Sequence, residues 1–476
     1  MKQVKKIGLR VLAVVVVLGA VYIGFNQLDA PPARFEAAGD LDTSSLENLT
    51  KGLIKPPSFE KTNGYYRLWS LPEPPGTDIE ADEQIMKYRR LHDPQFDNDK
   101  YIKEWNGDEK TWGFKKDYKG PFETYSEKRK KMLDEHGTFD SFAGAGTRDW
   151  TKLILSKKEI ILELKSLYQA YLDRYQVLLD TDFFEDFTLI RFDTTIPHLL
   201  AWLQIGRLYN TVNMLEALEG NWEKGVSAML NQVNFAKKAI KTGRTLIFNL
   251  VAKAIMRESL HGLAALMNEA EFPKALYEKV IQGLPPLRYE EFGSRVPLLI
   301  EGWGSSQVKR GLLQQKNRTR QYFYDQFSRI IDAEKTPPYL WKEDPNEKIK
   351  VKNGLFWWLQ NPAGKILFDK DTLHTNLFTV VFKSYSLKAA YDITRISAEL
   401  HLNYKAGIPV QEILNSLDTY RTWVDPCSGK PYIWNEQNQV LYSIGTDRDD
   451  DGGRFTLSSI DTDFTLPVIL YIKNDA

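Results

Sequence analysis

Cysteine is almost absent from this chain: Cys427 is the only one among 476 residues. One thiol cannot form an intramolecular disulfide, and it excludes a structural zinc site built from several cysteines. Stability must therefore come from a hydrophobic core. Apolar residues make up 42% of the chain, which is enough for a core of ordinary size.

An excess of either charge is also absent, since 63 basic residues balance 63 acidic ones. Proteins that bind nucleic acid usually carry a basic excess, because neutralisation of phosphates drives their affinity. We therefore do not expect nucleic acid as a partner.

Sequence motifs for catalysis are missing as well. The 6 histidines form no H-E-x-x-H pattern, and no G-x-S-x-G motif occurs. Glu258 and His261 lie three residues apart on a predicted apolar helix, close enough to interact. Such a pair could serve in general acid–base catalysis, although a buried hydrogen bond is its commoner role. We assign no catalytic residue.

The longest hydrophobic run lies at the N-terminus, where residues 11–25 carry no charge and follow a basic segment that ends at Arg10. Taken over residues 7–25, the stretch approaches the roughly 20 residues that a helix needs to cross a bilayer. The basic flank predicts an N-terminus in the cytoplasm and the main domain on the other side. The alternative is a signal peptide cleaved after Ala30, but we prefer an uncleaved anchor.

The residue pattern after the anchor predicts a mainly α protein with a small β-rich module at its C-terminus. Helical periodicity becomes clear from residue 149 onwards. The predicted divisions are a cytoplasmic tail (1–6), a transmembrane anchor (7–25), a stalk with an irregular aromatic-rich lobe (26–148), a helical domain (149–335), a loop region (336–370), and a long helix with the C-terminal module (371–476).

Within the helical domain, apolar residues recur every three or four positions from Ile161 to Leu178, which predicts a helix with one buried face. A second pattern of the same kind runs from Phe378 to Leu400 and predicts a long helix. Residues 289–331 are predicted to be helical, with kinks at Gly302 and Gly304.

A possible repeat signature begins at Trp202. It follows the W-x2-L-G-x2-Y opening of a tetratricopeptide repeat as far as Tyr209, with Gly206 at the small-residue position. A break at residues 219–221 then leads into a second predicted helix from Trp222. Two architectures stay open, namely tetratricopeptide-like helical hairpins and one antiparallel helical bundle.

The C-terminal part is the most distinctive. After the long helix and a short one come four motifs in order: D-P-C-S-G-K-P-Y (425–432), Y-S-I-G-T-D (442–447), G-G (452–453) and D-T-D (461–463). This order resembles the globular part of the major pseudopilins of type II secretion. The chain departs from that family in its much greater length and in lacking a prepilin leader. The resemblance therefore implies a shared calcium-loop module rather than membership of a pseudopilus.

The whole architecture also resembles uncharacterised membrane-anchored proteins of bacteria that end in the same D-P-x-S-G-K-P module. That resemblance implies a bacterial inner-membrane protein whose main domain is periplasmic. It implies no activity.

The acidic loop carries the only specific chemical prediction. Asp447, Asp449 and Asp451 alternate and are followed by Gly452, as at the start of an EF-hand calcium loop. Calcium takes six to eight oxygen ligands, and glycine lets the chain turn tightly around the ion. The alternative is a solvated acidic turn on a β-hairpin that binds no ion.

The pseudopilin resemblance implies further ligands for this calcium. Asp461 and Asp463 would close the site, and the backbone carbonyls of Leu441 and Ser443 would contribute to it. We expect such an ion to be structural, pinning the fold of the module.

Three functions are compatible with these features. The first is a membrane-anchored helical scaffold that binds a protein or envelope partner. The second is an envelope hydrolase with its site in a helical cleft. The third is an accessory component of a secretion or pilus-like machine. The scaffold is the preferred expectation.

Overall fold

The computed structural model describes these parts of the chain: 63–71, 150–186, 197, 199–306, 315–341, 361, 365, 373–445, 448–450, 452–453 and 464–467. The predicted cytoplasmic tail and transmembrane anchor lie outside the described residues. Within the described ranges, no helix combines the length and the apolar character needed to cross a membrane.

The protein is mainly helical with a small sheet near its C-terminus, which confirms the predicted fold class at that level. Two 3-10 turns, Tyr289–Glu291 and Pro338–Leu340, join helices. The described α-helices are, in chain order, α1 (Gly64–Ser70), α2 (Trp150–Ser156), α3 (Lys158–Leu179), α4 (Leu199–Leu218), α5 (Trp222–Thr242), α6 (Leu246–Met267), α7 (Lys274–Gly283), α8 (Arg295–Ser306), α9 (Lys316–Lys335), α10 (Leu373–Asn403), α11 (Val410–Ser416) and α12 (Asp418–Thr422).

The two strongest periodic patterns are confirmed. In α3, all six residues of the predicted face are buried: Ile161, Leu164, Tyr168, Tyr171, Tyr175 and Leu178. In α10, burial goes beyond the predicted face, because residues between 384 and 400 are buried on nearly every side of the helix. A helix that is buried all round lies in the centre of its fold.

The prediction that residues 289–331 are helical is wrong in part. A break at residues 292–294 separates the 3-10 turn from α8, and α8 then runs through both of its glycines. A side chain at Gly302 would meet the Phe327 ring of α9 at 2.8 Å. This glycine therefore permits close helix packing rather than a kink.

The core is centred on α6, which packs against α4, α5, α8 and α10. Thr245 caps its N-terminus by accepting a hydrogen bond from the backbone N–H of Phe248 at 3.3 Å. One contiguous hydrophobic cluster extends from Tyr65 through these helices to Leu441 in the C-terminal sheet.

The sheet has three antiparallel strands in the order β1 (Ile433–Asn435), β2 (Val440–Ser443) and β3 (Phe464–Pro467). Every residue of the central strand β2 is buried. Both β2 and β3 pack against α10, so the sheet is attached to the main helical core.

Candidate functional site

Most of the predicted calcium ligands cannot be placed. Asp447, Asp451, Asp461 and Asp463 lie outside the described residues, whereas Asp449 is exposed. Among the residues that the structure describes, no group of three or more His, Cys, Asp or Glu side chains is arranged to hold a metal ion.

Leu441 and Ser443, the two predicted backbone ligands, lie in β2 and are buried. The Ser443 hydroxyl donates to Asp425 Oδ1 at 2.7 Å, and the backbone N–H of Cys427 donates to the same oxygen at 3.0 Å. Asp425 therefore ties the D-P-C-S-G-K-P-Y loop to the sheet. The motif has a structural role that its sequence alone does not reveal.

The acidic loop is also held by contacts of its own. Asp450 accepts hydrogen bonds from the Tyr442 hydroxyl at 2.7 Å and from the backbone N–H of Gly452 at 2.9 Å. Arg448 adopts a left-handed φ of 66°, and its guanidinium lies 5.7 Å from the centre of the Trp341 ring. A non-glycine residue in this region of φ is uncommon.

A second polar cluster, which the sequence did not reveal, lies inside the helical core. Lys253 on α6 is fully buried and donates to the hydroxyls of Ser294 and Ser384, the latter at 2.6 Å. Burial lowers the pKa of Lys253 to about 8, an effect that the carboxylate of Glu334 opposes.

Glu334 on α9 is the acidic partner of this cluster and has no exposed surface. Its carboxylate accepts from the Ser384 hydroxyl at 3.0 Å, from the backbone N–H of Ser294 at 2.5 Å and from the Tyr289 hydroxyl at 2.7 Å. The Ser384 hydroxyl thus bridges the Lys253–Glu334 charge pair, and Ser294 contacts Lys253 with its hydroxyl and Glu334 with its backbone N–H. The network joins α6, α8, α9 and α10.

The chemistry of this cluster allows two roles. A lysine that can lose its proton beside a serine hydroxyl is the arrangement used by Ser–Lys nucleophilic enzymes. Ser294 and Ser384, however, each have 0% of their surface exposed. In this geometry the hydroxyls link helices and do not face solvent.

Glu258 and His261, the candidate acid–base pair, are both buried in α6. The Glu258 carboxylate accepts a hydrogen bond from Arg207 Nε at 2.8 Å. Burial, and then the neighbouring Arg257, lower the pKa of His261 to about 3. An imidazole with so low a pKa stays neutral near pH 7 and is poorly matched to general acid catalysis there.

Comparison with known proteins adds no family to this description: no protein-family model, curated protein sequence or solved structure matches the chain.

Proposed function

We propose that this protein is a non-enzymatic, membrane-anchored helical scaffold that binds a protein or envelope partner. Residues 7–25 would anchor it in a bacterial inner membrane, with its N-terminus in the cytoplasm and its main domain in the periplasm. A structural calcium ion would stabilise the C-terminal module.

The observation that supports a scaffold best is the use of the buried polar groups. Lys253 and Glu334 join four helices through the Ser384 hydroxyl and through Ser294 at the start of α8. Fully satisfied buried networks rigidify a fold and specify how its elements pack. Rigidity of this kind suits a protein that presents a fixed surface to a partner.

For the helical body we favour a bundle over a tetratricopeptide array. In favour of an array, α6 packs against both α4 and α5, as the next repeat would. In favour of a bundle, α6 also packs against α10, which lies more than a hundred residues further along the chain. A solenoid unit contacts chiefly its sequence neighbours, so the contact with α10 favours the bundle.

The calcium proposal is tested by thermal unfolding of the full chain in detergent, in excess calcium and then in EDTA. An ion that binds only the folded state raises its stability, by about 2.7 kcal/mol at a hundredfold excess over Kd. We expect a calcium-dependent rise in Tm in the parent and none in Asp447→Ala, with Asp418→Ala as an exposed acidic control. An identical Tm in calcium and in EDTA would contradict the calcium site and favour a solvated acidic turn that binds no ion.

The alternative of an envelope hydrolase is supported by one geometric feature, the contact between Lys253 Nζ and Ser384 Oγ. A fluorophosphonate probe reacts with nucleophilic serines and separates the two functions. We expect no labelling of the folded full chain, because Ser384 is fully buried. Labelling that is lost in Ser384→Ala but retained in Ser305→Ala would overturn the scaffold proposal in favour of a hydrolase.

An accessory role in a secretion or pilus-like machine remains the third proposal. Only the likeness of the C-terminal motifs to major pseudopilins supports it. Chemical cross-linking in native membranes, followed by identification of the cross-linked proteins, would test this role. Cross-linking to secretion components would favour this role over a scaffold that binds a different partner.

A further inference from the structure

Asp392, in the middle of α10, is a buried carboxyl group covered by the D-P-C-S-G-K-P-Y loop. Its side chain has 0% of its surface exposed. The Tyr432 hydroxyl, at the end of the loop, donates to Asp392 Oδ2 at 2.8 Å, and Lys388 one turn earlier also bonds to Oδ2. The other oxygen, Oδ1, has no hydrogen-bond partner among the described residues.

A second hydrogen bond fixes the same end of the loop. Tyr420 on α12 donates its hydroxyl proton to the backbone carbonyl of Tyr432 at 2.7 Å. Tyr432 is itself 1% exposed. The loop is therefore held against α10 by Tyr432, whose hydroxyl group bonds to the carboxyl group of Asp392.

The charges around Asp392 do not balance when every acid is ionised. Two buried carboxyl groups, Asp392 and Asp425, face one ammonium group, that of Lys388. On the loop, the further titratable groups are Cys427, Tyr432 and the exposed Lys430. On the same face of α10, Arg395 lies over the Trp423 ring together with Lys388, but its ion-pair partner is Glu399. Lys237 and Glu291 are the charged groups near the adjacent Tyr391.

We propose that Asp392 is a proton-operated clamp, which holds the 425–432 loop on α10 when it carries a proton and weakens that docking when it loses one. An ionised Asp392 would leave an unpartnered, fully buried anionic oxygen next to a second buried carboxylate. Unpaired buried charge is costly, whereas a neutral carboxyl group in the same place costs much less.

The direction of the pH dependence follows from the electrostatics. Burial, reinforced by Asp425, raises the pKa of Asp392 against the opposing effect of Lys388. The docked loop thus binds the proton more tightly than the open chain does. The stabilising contribution is complete below the ordinary pKa of an aspartic acid and is lost as the pH rises through the raised value.

The single cysteine provides a site-specific probe of this loop, because Cys427 lies within it and is only 2% exposed. The rate of its alkylation in the full chain reports opening of the loop. We compare the alkylation rates of the parent and of Asp392→Asn at each pH from about 5 to 8. In the ratio of the parent rate to the variant rate, the effect of pH on the thiol itself cancels.

We expect this ratio to rise with pH across the whole range, because pH 5 already lies above the ordinary pKa of an aspartic acid. Each pH unit between the pKa values of the docked and open states changes the open fraction about tenfold. The matched control is Asp418→Asn, whose carboxyl group is exposed and whose ratio should stay near one throughout. A parent-to-Asp392→Asn ratio that does not change with pH would overturn the clamp.

A second variant keeps the proposal testable if Asp392→Asn fails to fold. Tyr432→Phe retains the ring but removes the hydroxyl that binds Asp392. Alkylation of Cys427 at pH 5 should then become severalfold faster, with the circular dichroism of the helical body unchanged. An unaltered rate would show that the tyrosine–carboxyl contact does not hold the loop.

Discussion

At the scale of single residues, the helical core contains two charged side chains at positions where apolar side chains are usual. Lys253 and Glu334 lie in the centre of the helical core, where the Ser384 hydroxyl bonds to both of them and Ser294 contacts each. Replacing one partner of such a network leaves the other as an uncompensated charge. The cost of breaking the cluster should therefore exceed that of losing one hydrogen bond.

Lys253→Met tests this expectation. The substitution keeps the length of the side chain but leaves the Glu334 carboxylate without its cation. We expect the free energy of unfolding to fall by about 3–5 kcal/mol, measured from urea denaturation. Lys241→Met, at an exposed position of α5, is the matched control and should change stability by less than about 0.5 kcal/mol. Equal effects of the two substitutions would contradict a stabilising role for the network.

At the scale of elements, a close approach between α4 and α5 lies at a glycine outside the repeat-like signature. A side chain at Gly225 in α5 would meet both the Asn213 carbonyl oxygen and the Ala217 methyl group of α4 at 2.6 Å. At Gly206, the signature position, the nearest atom is the Tyr175 hydroxyl at 3.0 Å, a longer contact that involves no backbone atom. The separation of α4 and α5 is therefore set by Gly225.

Gly225→Ala should consequently destabilise the protein more than Gly206→Ala. The first change forces backbone atoms apart, and overpacking of this kind typically costs about 1–3 kcal/mol. Both changes gain the better helix propensity of alanine, so the difference between them reports the tighter contact at Gly225. Urea denaturation of the two variants gives the comparison directly. If Gly206→Ala proves the more damaging, the repeat-like signature and not Gly225 controls the packing of the hairpin.

At the scale of the whole molecule, one hydrophobic cluster links the helical region to the C-terminal sheet. The predicted division between residues 149–335 and 371–476 is therefore bridged by shared packing, because α10 lies against α6 and α7. Elements that bury one another's apolar surface tend to unfold together.

We accordingly expect a single unfolding transition for the described regions. Helix content, followed by circular dichroism, and tertiary packing, followed by tryptophan fluorescence, should give coincident urea curves. Trp341 contacts Arg448 of the acidic loop. Comparing the fluorescence curves of the parent and of Trp341→Phe would show whether this contact is lost in the same unfolding transition. Two separated transitions, with the C-terminal part unfolding first, would show that the module is an independent folding unit.

The sequence was sufficient for features that depend on near neighbours. Residues spaced three or four apart predicted the buried face of α3 and the length of α10, because one helix surface repeats with that period. Local breaks such as residues 219–221 predicted where helices end. The mainly helical class with a small C-terminal sheet followed from these patterns.

The pairing of buried polar groups was decided only in the tertiary structure. Lys253 meets Ser384 across 131 positions of sequence, and Ser294 meets Glu334 across 40. Ser294, which makes the second contact, lies in the break at residues 292–294 that the local pattern did not predict. Periodicity shows which face of a helix is buried, but which side chains meet inside the core depends on which faces pack together.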